Sequence, residues 1–214
     1  MKNPWEEIAL TDYENHMSLD SVYQLQKMNE MMKEQLNEYK IKSAMILGVA
    51  GGNGLEHIEK EKIEKVYGVD VNQKYLDECV KRYPELTGTF EVICADLLNK
   101  NLQLPNSELI IANLLIEYIG YGCFQNIIRL VKPRYVSCII QINTDKSFVS
   151  DSPYLQAFDR LKEVHHQIDK TTLINTMNEI GYIKQLIAEN ELPNGKKLLR
   201  IDFLLNSYLK ECLQ

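Results

Sequence analysis

The sequence has no long apolar run and no leader-like beginning. No stretch approaches the roughly 18 consecutive apolar residues that a membrane-spanning helix needs. The first residues also lack the basic segment followed by an apolar one that marks a secretory signal. We therefore expect a cytoplasmic protein with no membrane partner.

The sequence also lacks paired cysteines and clusters of basic residues. The five cysteines form no C-x-x-C pair, so we expect reduced cysteines in the core and no bound metal. Lys and Arg number 24 against 30 Asp and Glu, which gives a formal charge of −6 without any basic cluster. This balance argues against a nucleic-acid partner, because phosphate neutralisation requires clustered cations. The cysteines are Cys79, Cys94, Cys123, Cys138 and Cys212.

The N-terminal region shows one helical pattern. Apolar residues recur every three or four positions from about Ser18 to Lys40, which predicts an amphipathic helix with Met28, Met31 and Met32 as core residues. The preceding segment, Pro4 to Met17, has aromatic residues without a period, so it is either an ordered cap or a partly mobile arm. We expect residues 1–42 to cap a main unit, residues 43–214, within one domain.

From Ser43 onward, short apolar runs alternate with amphipathic stretches, which is typical of a parallel sheet covered by helices. The predicted helices are Gly54 to Lys60, Gln73 to Tyr83 and Gly122 to Val131. The five predicted strands are Met45–Val49, Val66–Asp70, Phe90–Cys94, Leu109–Asn113 and Tyr135–Gln141.

The last third of the chain predicts a different arrangement. A helix from Thr171 to Ile180 ends at Gly181, and two extended runs follow, Tyr182 to Glu191 and Lys196 to Leu205. They flank the turn sequence Pro193-Asn194-Gly195, which predicts an antiparallel hairpin. The fold class is therefore α/β, with a mostly parallel sheet that finishes in a hairpin.

Residues that end strands carry the candidate chemistry, because ligands of open α/β sheets bind beyond the carboxyl ends of the strands. The first strand leads into Gly48-Val49-Ala50-Gly51-Gly52-Asn53-Gly54, where small residues let the backbone approach a ligand. The second strand ends in Asp70, a possible acceptor for ribose hydroxyls, and the third is followed by a second acid, Asp96. Other nucleotide motifs fail here: the turn lacks the G-x-G-x-x-G spacing of dinucleotide sites, and no Gly-Lys-Ser/Thr follows it.

The runs Met45 to Ile58, Val66 to Tyr83 and Phe90 to Asn99 resemble the first three motifs of the class I S-adenosylmethionine-dependent methyltransferases. The resemblance implies a three-layer α/β/α Rossmann-like fold with seven strands in the order 3-2-1-4-5-7-6, the last antiparallel. It also implies a cofactor site for S-adenosylmethionine, whose product form is S-adenosylhomocysteine. The glycine-rich turn from Gly48 to Gly54 would approach the methionine part, Asp70 and Val71 the ribose, Asp96 and Leu97 the adenine, and Asn113 and Leu114 the reactive methyl group.

Two positions depart from the family pattern. Gly48 stands where the family usually has an acid, and Ala50 stands where it has its first glycine. The cofactor's ammonium group would then be held by backbone carbonyls or by another carboxylate. Alanine suits position 50 unless that residue needs a positive φ.

The methyl acceptor is not identified by the sequence. Compact size and acidic charge favour a small molecule over a protein or nucleic acid, and no Asp/Asn-Pro-Pro-aromatic motif follows Asn113. Methyl transfer mainly requires positioning and exclusion of water. The alternative to an enzyme is a catalytically silent protein that binds the cofactor and regulates or scaffolds a partner. Candidate acceptor-site residues are Tyr13, His16, Asn113, Glu117 and Tyr118. Glu117 and Tyr118 either act as base or orienting group or merely begin the next helix. The N-terminal residues Tyr13, His16, Met17 and Tyr23 either form a lid on the cofactor or acceptor or belong to an arm docked only for packing. The pair His165-His166 is expected at the surface.

Overall fold

The computed structural model describes residues 3–143 and 147–209, which form a seven-stranded sheet with helices on both faces. The described residues also form 3-10 segments: Pro4–Glu6 before the first helix, the single turns Leu55–His57 and Pro84–Leu86, and the longer segment Leu155–Glu163. The strands are β1 (Ser43–Leu47), β2 (Lys65–Asp70), β3 (Phe90–Cys94), β4 (Leu109–Asn113), β5 (Tyr135–Ile142), β6 (Tyr182–Glu191) and β7 (Lys197–Leu205). The helices are α1 (Leu10–Ser18), α2 (Gln24–Glu38), α3 (Gln73–Arg82), α4 (Ile116–Val131), α5 (Lys170–Glu179) and α6 (Asn206–Leu209).

The strand order is β3-β2-β1-β4-β5-β7-β6, as the family resemblance implied. The pairs among β1 to β5 are parallel, whereas β7 runs antiparallel to both β5 and β6. The predicted hairpin is confirmed, and its Gly195 has a φ of 81°. The predicted strand limits differ from the observed ones by at most two residues.

Two apolar clusters lie on opposite faces of the sheet, which confirms the three-layer architecture. Successive residues of a strand point to opposite faces, so Ala44 and Ile46 of β1 join the cluster that contains residues of α2 and α3. Met45 and Leu47 join the other cluster, with residues of α4 and α5. The strands β1, β4 and β5 are therefore buried on both sides, as their continuous apolar runs predicted.

The N-terminal region contains two helices where one was predicted. The chain turns between Leu19 and Tyr23, and Tyr23 adopts a left-handed φ of 54°, so α2 begins at Gln24 and not at Ser18. The first helix, α1, lies in the preceding segment, where the sequence showed no regular apolar spacing. The apolar spacing continues across this turn because Val22 is fully buried there. Met28, Met31 and Met32 are buried, as predicted.

The predicted helix from Gly54 to Lys60 is wrong. Only the single 3-10 turn Leu55–His57 forms there. Gly54 has a φ of 93°, which does not start an α-helix, and Leu55 and Ile58 are the only apolar residues that the stretch can bury. Met32 of α2 packs directly against Gly54 instead.

The remaining helices agree more closely with the predictions. The α3 helix starts with a side-chain cap, since Asn72 accepts a hydrogen bond from the Lys74 amide. The α4 helix starts at Ile116 and is interrupted at Gly120 (φ 72°, ψ 165°), so the predicted helix from Gly122 is its second part. Of the cysteines, Cys79 and Cys138 are buried, Cys94 is exposed and none of the four described forms a disulfide, while Cys212 lies outside the described residues. Within the described ranges, no helix is long and apolar enough to cross a membrane.

Candidate functional site

A first cavity opens at the carboxyl ends of β1 to β4, the edge at which ligands of open α/β sheets bind. It holds about 760 Å³ of space between atoms, part of it open to solvent. Eight of the predicted cofactor residues line it: Gly48, Ala50, Asp70, Val71, Asp96, Leu97, Asn113 and Leu114. The N-terminal segment contributes Asn3, Trp5 and Tyr13. The residues that end the strands therefore converge on one cavity.

Asp70 ends β2 and connects the glycine-rich turn to the cavity wall. Its Oδ2 accepts a hydrogen bond from the Ala50 amide and its Oδ1 accepts one from the Asn72 amide, both at 2.9 Å. Burial raises the pKa of this carboxyl, and the backbone hydrogen bonds oppose the rise. Each carboxylate oxygen has a second lone pair, so Asp70 can still accept hydrogen bonds from ligand hydroxyls.

The two positions that depart from the family pattern both have left-handed backbone. Gly48 has a φ of 69°, and a Cβ at this position would lie 3.1 Å from Leu115 Cδ1. An acidic side chain would therefore be strained and crowded there, which explains the glycine. Ala50 has a φ of 48°, a conformation that costs an L-residue roughly 1–2 kcal/mol. The bond from its amide to Asp70 helps to hold that conformation.

The rest of the turn packs against the N-terminal helices. The Gly51 carbonyl accepts a hydrogen bond from Arg82, which also pairs with Glu14 of α1. Asn53 donates to the Leu25 carbonyl of α2 at 2.9 Å. Five predicted cofactor residues, Val49, Gly51, Gly52, Asn53 and Gly54, are not among those that line the first cavity. Their role at the cofactor stays a prediction.

Two other predicted residues have partners of their own. Asp96 Oδ1 accepts a hydrogen bond from the Leu98 amide at 2.9 Å, so its second oxygen is not used by this bond. Asn113 exchanges two amide hydrogen bonds with Gln35 of α2, at 2.8 and 2.9 Å. Gln35 is fully buried and also donates to Ser137 of β5. Helix α2 therefore fixes the side chain of Asn113 beside the cavity.

A second cavity of about 600 Å³ adjoins the first, and the two share Trp5, Tyr13, Leu114 and Tyr118. All five predicted acceptor-site residues line at least one of the cavities. Tyr13 and Tyr118 line both, Asn113 lines the first, and His16 and Glu117 line the second. Met17 also lines the second cavity, whereas Tyr23 lines neither.

Glu117 is the buried acid of the second cavity. Its side chain lies in the first turn of α4, and the residue is 6% exposed. Oε1 accepts a hydrogen bond from the Gln141 amide at 2.9 Å, while the buried Oε2 has no partner among the described residues. Burial raises the pKa of Glu117 from its ordinary value to about 7, against the effect of backbone hydrogen bonds. A carboxyl with this pKa can gain or lose a proton near neutral pH.

The histidines of the second cavity favour the neutral form. His16 Nδ1 is 2.7 Å from Ser152 Oγ, and burial, followed by the charge of Lys196, lowers its pKa to about 4. His165 stacks on Phe148 with 3.9 Å between ring centroids, and burial lowers its pKa as well. The sequence predicted His165 at the surface as part of a histidine pair, but its side chain lines the second cavity. Within residues 3–143 and 147–209, no group of three or more His, Cys, Asp or Glu could hold a metal ion.

Aromatic rings separate the two cavities. Trp5 makes edge contacts with Tyr13 and Tyr118, with centroids 5.8 and 4.9 Å apart. Sequence reasoning missed Trp5 and Phe148 as site residues because neither belongs to a periodic segment. The one available signal for Trp5 is that it is the only tryptophan of the chain.

Comparison with known proteins gives matches in structure only. No family model and no curated protein matches the sequence. The methyltransferase domain of the bacterial protein CtHen1 matches with a TM-score of 0.64 and 15% identity, over 84% of this chain and 97% of that one. The N-methyltransferase NodS from Bradyrhizobium japonicum, solved with S-adenosylhomocysteine, matches with a TM-score of 0.64 and 11% identity, over 92% and 97% of the two chains.

The chain has the class I methyltransferase fold. This methyltransferase fold is also found in the cyclase SpnF, which matches with a TM-score of 0.62 and 9% identity over 83% of this chain and 80% of that one. At such low identities the similarity establishes the architecture alone, and a fold does not determine a reaction.

Proposed function

We propose that the protein is an S-adenosylmethionine-dependent methyltransferase that acts on a small molecule. The observation that carries this proposal is the pair of adjoining cavities, one lined by the predicted cofactor residues and the other by Glu117 and aromatic side chains. A transferase of this kind needs two neighbouring binding sites whose ligands meet at one boundary. Tyr13, Leu114 and Tyr118 form such a boundary.

The first cavity suits the proposed cofactor. Asp70 retains acceptor capacity for ribose hydroxyls, and one oxygen of Asp96 is available for the exocyclic amine of adenine. The left-handed Gly48 leaves room that a Cβ would fill. When bound, the cofactor would supply an activated methyl group on a sulfonium. The described residues would position it, with Asn113 held by Gln35 near the methyl group.

The second cavity supports a small acceptor over a protein or nucleic acid. Its walls include residues of the N-terminal segment, α1, α2, α4, β5 and the range 148–165, so an acceptor would meet protein from several elements. Surrounding the reacting atoms excludes water and keeps the nucleophile close to the methyl group. In this proposal residues 3–42 act as the cap over both sites.

The cofactor proposal can be tested by titrating the protein with S-adenosylmethionine and S-adenosylhomocysteine in a calorimeter. Replacement of Asp70 by alanine should weaken binding at least about tenfold, because hydrogen bonds to a charged group contribute roughly 1.5–3 kcal/mol. Asp77→Ala is the matched control, since Asp77 is an exposed acid on the helix that follows the same strand. Unfolding curves should accompany both variants because Asp70 also holds the Ala50 turn.

The outcomes separate the proposals. An unchanged dissociation constant for Asp70→Ala would show that the assignment of the motif is wrong. No binding of either cofactor form would refute the methyltransferase proposal. Binding without turnover across a broad panel of acceptors would favour the silent cofactor-binding protein.

A further inference from the structure

Glu117 lines the second cavity, and one oxygen of its buried carboxyl has no hydrogen-bond partner among the described residues. Its Oε1 is bonded to the Gln141 amide, but its Oε2 is buried without any hydrogen-bond donor among the described residues. A buried polar atom without a partner is costly, and more so when it is ionised. This arrangement suits a ligand that brings a donor to Oε2.

The charges around Glu117 indicate which charge a ligand of this cavity should carry. The described residues that line the second cavity include no lysine or arginine. The two histidines do not offset the acid, because burial lowers the pKa of His16 to about 4 and that of His165 below its usual value. The ammonium of Lys196 donates to the carbonyls of Ser147 and Phe148. Among the described lining residues, an anionic ligand would meet no lysine or arginine, whereas a cationic ligand would meet the Glu117 carboxylate.

The walls of the cavity also suit a cation. Four aromatic residues line the second cavity together with Glu117: Trp5, Tyr13, Tyr118 and Phe148. The faces of aromatic rings attract ammonium groups, and the attraction grows when the cation is removed from water. A small ammonium ion with an apolar substituent would therefore match both the charge and the lining.

We propose that the methyl acceptor is a small primary or secondary amine, which enters as its ammonium form and gives a proton to Glu117. This inference rests on the proposed methyltransferase function. The N–H proton moves to Oε2 of the ionised carboxylate, which leaves a lone pair on nitrogen. That lone pair forms the bond to the methyl carbon while the electron pair of the carbon–sulfur bond stays on sulfur. Glu117 thus acts as both the ammonium-binding group and the general base.

The test uses the full chain saturated with S-adenosylhomocysteine and three matched probes, benzylamine, benzyl alcohol and benzoate, titrated in a calorimeter at pH 7.5. We expect benzylamine to bind at least about tenfold more tightly than benzyl alcohol, as one charge-assisted hydrogen bond predicts, and benzoate to bind most weakly. Glu117→Gln, which keeps the acceptor for the Gln141 amide, should reduce this preference to less than about threefold. Glu59→Gln, a change at an exposed acid paired with Lys62, should leave the preference unchanged.

A second readout is proton release. Because burial raises the pKa of Glu117 to about 7, binding of an ammonium ion should drive ionisation of the carboxyl. Titrations in buffers of different ionisation enthalpy should show protons released on benzylamine binding to the wild type and none for Glu117→Gln. A purely structural role of Glu117 would not produce this release.

The failures are distinguishable. If S-adenosylhomocysteine does not bind, the proposed function fails. If it binds but the three probes bind equally, or none binds, the amine inference is refuted while the cofactor proposal stands. Tighter binding of benzyl alcohol than of benzylamine would overturn the amine in favour of a hydroxyl acceptor.

Discussion

Replacing Glu117 with glutamine should change how the stability of the protein depends on pH. The wild-type carboxyl is buried, and its Oε2 has no hydrogen-bond partner among the described residues. Burial raises its pKa in the folded state from the ordinary value of 4.5 to about 7. In the unfolded chain it would titrate near its ordinary value. The folded protein therefore holds a proton that the unfolded chain has lost between these two pH values.

The sign and size of the effect follow from this difference. Stability falls with rising pH wherever the folded state binds more protons than the unfolded state. The contribution of Glu117 is fully present below pH 4.5 and is lost as the pH rises through about 7. One pKa unit corresponds to about 1.4 kcal/mol, so the ionised carboxyl should reduce the free energy of unfolding by about 3 kcal/mol above pH 7. A glutamine cannot ionise and should not show this loss.

The measurement is denaturant unfolding of the wild type and Glu117→Gln at several pH values from 4 to 8. At pH 4 the two free energies of unfolding should differ by an amount that depends on how well the glutamine amide fits the site. Between pH 4 and pH 8 this difference should change by about 3 kcal/mol in favour of the variant. His16, His165, Tyr13 and Tyr118 also face this cavity, but they are present in both proteins and largely cancel. Parallel pH profiles would refute the reasoning, because they would show that Glu117 titrates normally.

Two other predictions test the cavities and the turn. Trp5 is the only tryptophan and lines both cavities, so its fluorescence should change on titration with S-adenosylhomocysteine, with the same midpoint as calorimetry. Trp5→Phe should abolish the signal, and an unchanged emission at saturation would contradict the position of the ring. Gly54→Ala should destabilise the protein by about 1–3 kcal/mol more than Gly88→Ala. Both glycines have a φ near 90°, but a Cβ at Gly54 would lie 2.5 Å from Met32 Cγ, whereas one at Gly88 would meet nothing within 4 Å. Equal losses in denaturant unfolding would show that the contact with Met32 relaxes freely.

The sheet could be predicted because its signals are local. Residues 109–112 of β4 are apolar and fully buried, as a strand covered on both faces requires. The turn at Pro193-Asn194-Gly195 specifies the hairpin through a left-handed glycine. The exact order of the strands came from the family resemblance, since apolar runs alone do not say which strands are neighbours.

The single 3-10 turn that replaces a helix after β1 could not be predicted from the residues of that stretch. The amphipathic pattern of α2 shows that the helix has a buried face, but not which part of the sheet it covers. Met32 and Leu36 of α2 join the same apolar cluster as β1 and α3. The stretch after Gly54 then has little apolar surface to bury, and a single turn forms.

The candidate site was predicted where strand ends converge and missed where loops contribute. Asp70, Asp96 and Asn113 come to one cavity because parallel strands end at one edge of the sheet. Trp5 and Phe148 reach the cavities from segments without a period, so nothing in the spacing marks them. The same limit applies to Glu117, whose Oε2 has no partner in the part of the chain that the structure describes, because a sequence does not reveal missing hydrogen-bond partners.

The conformation of Ala50, which departs from the family pattern, depends on Asp70 of the second motif. Ala50 occupies a left-handed conformation that glycine would adopt more easily. Its amide is fixed by Asp70 Oδ2, and its carbonyl accepts a hydrogen bond from Cys79 Sγ at 3.0 Å. The carboxylate that faces the first cavity therefore also stabilises the turn beside it. A substitution at Asp70 should consequently affect both the ribose contact and the backbone at Ala50, which is why its binding defect must be compared with its stability.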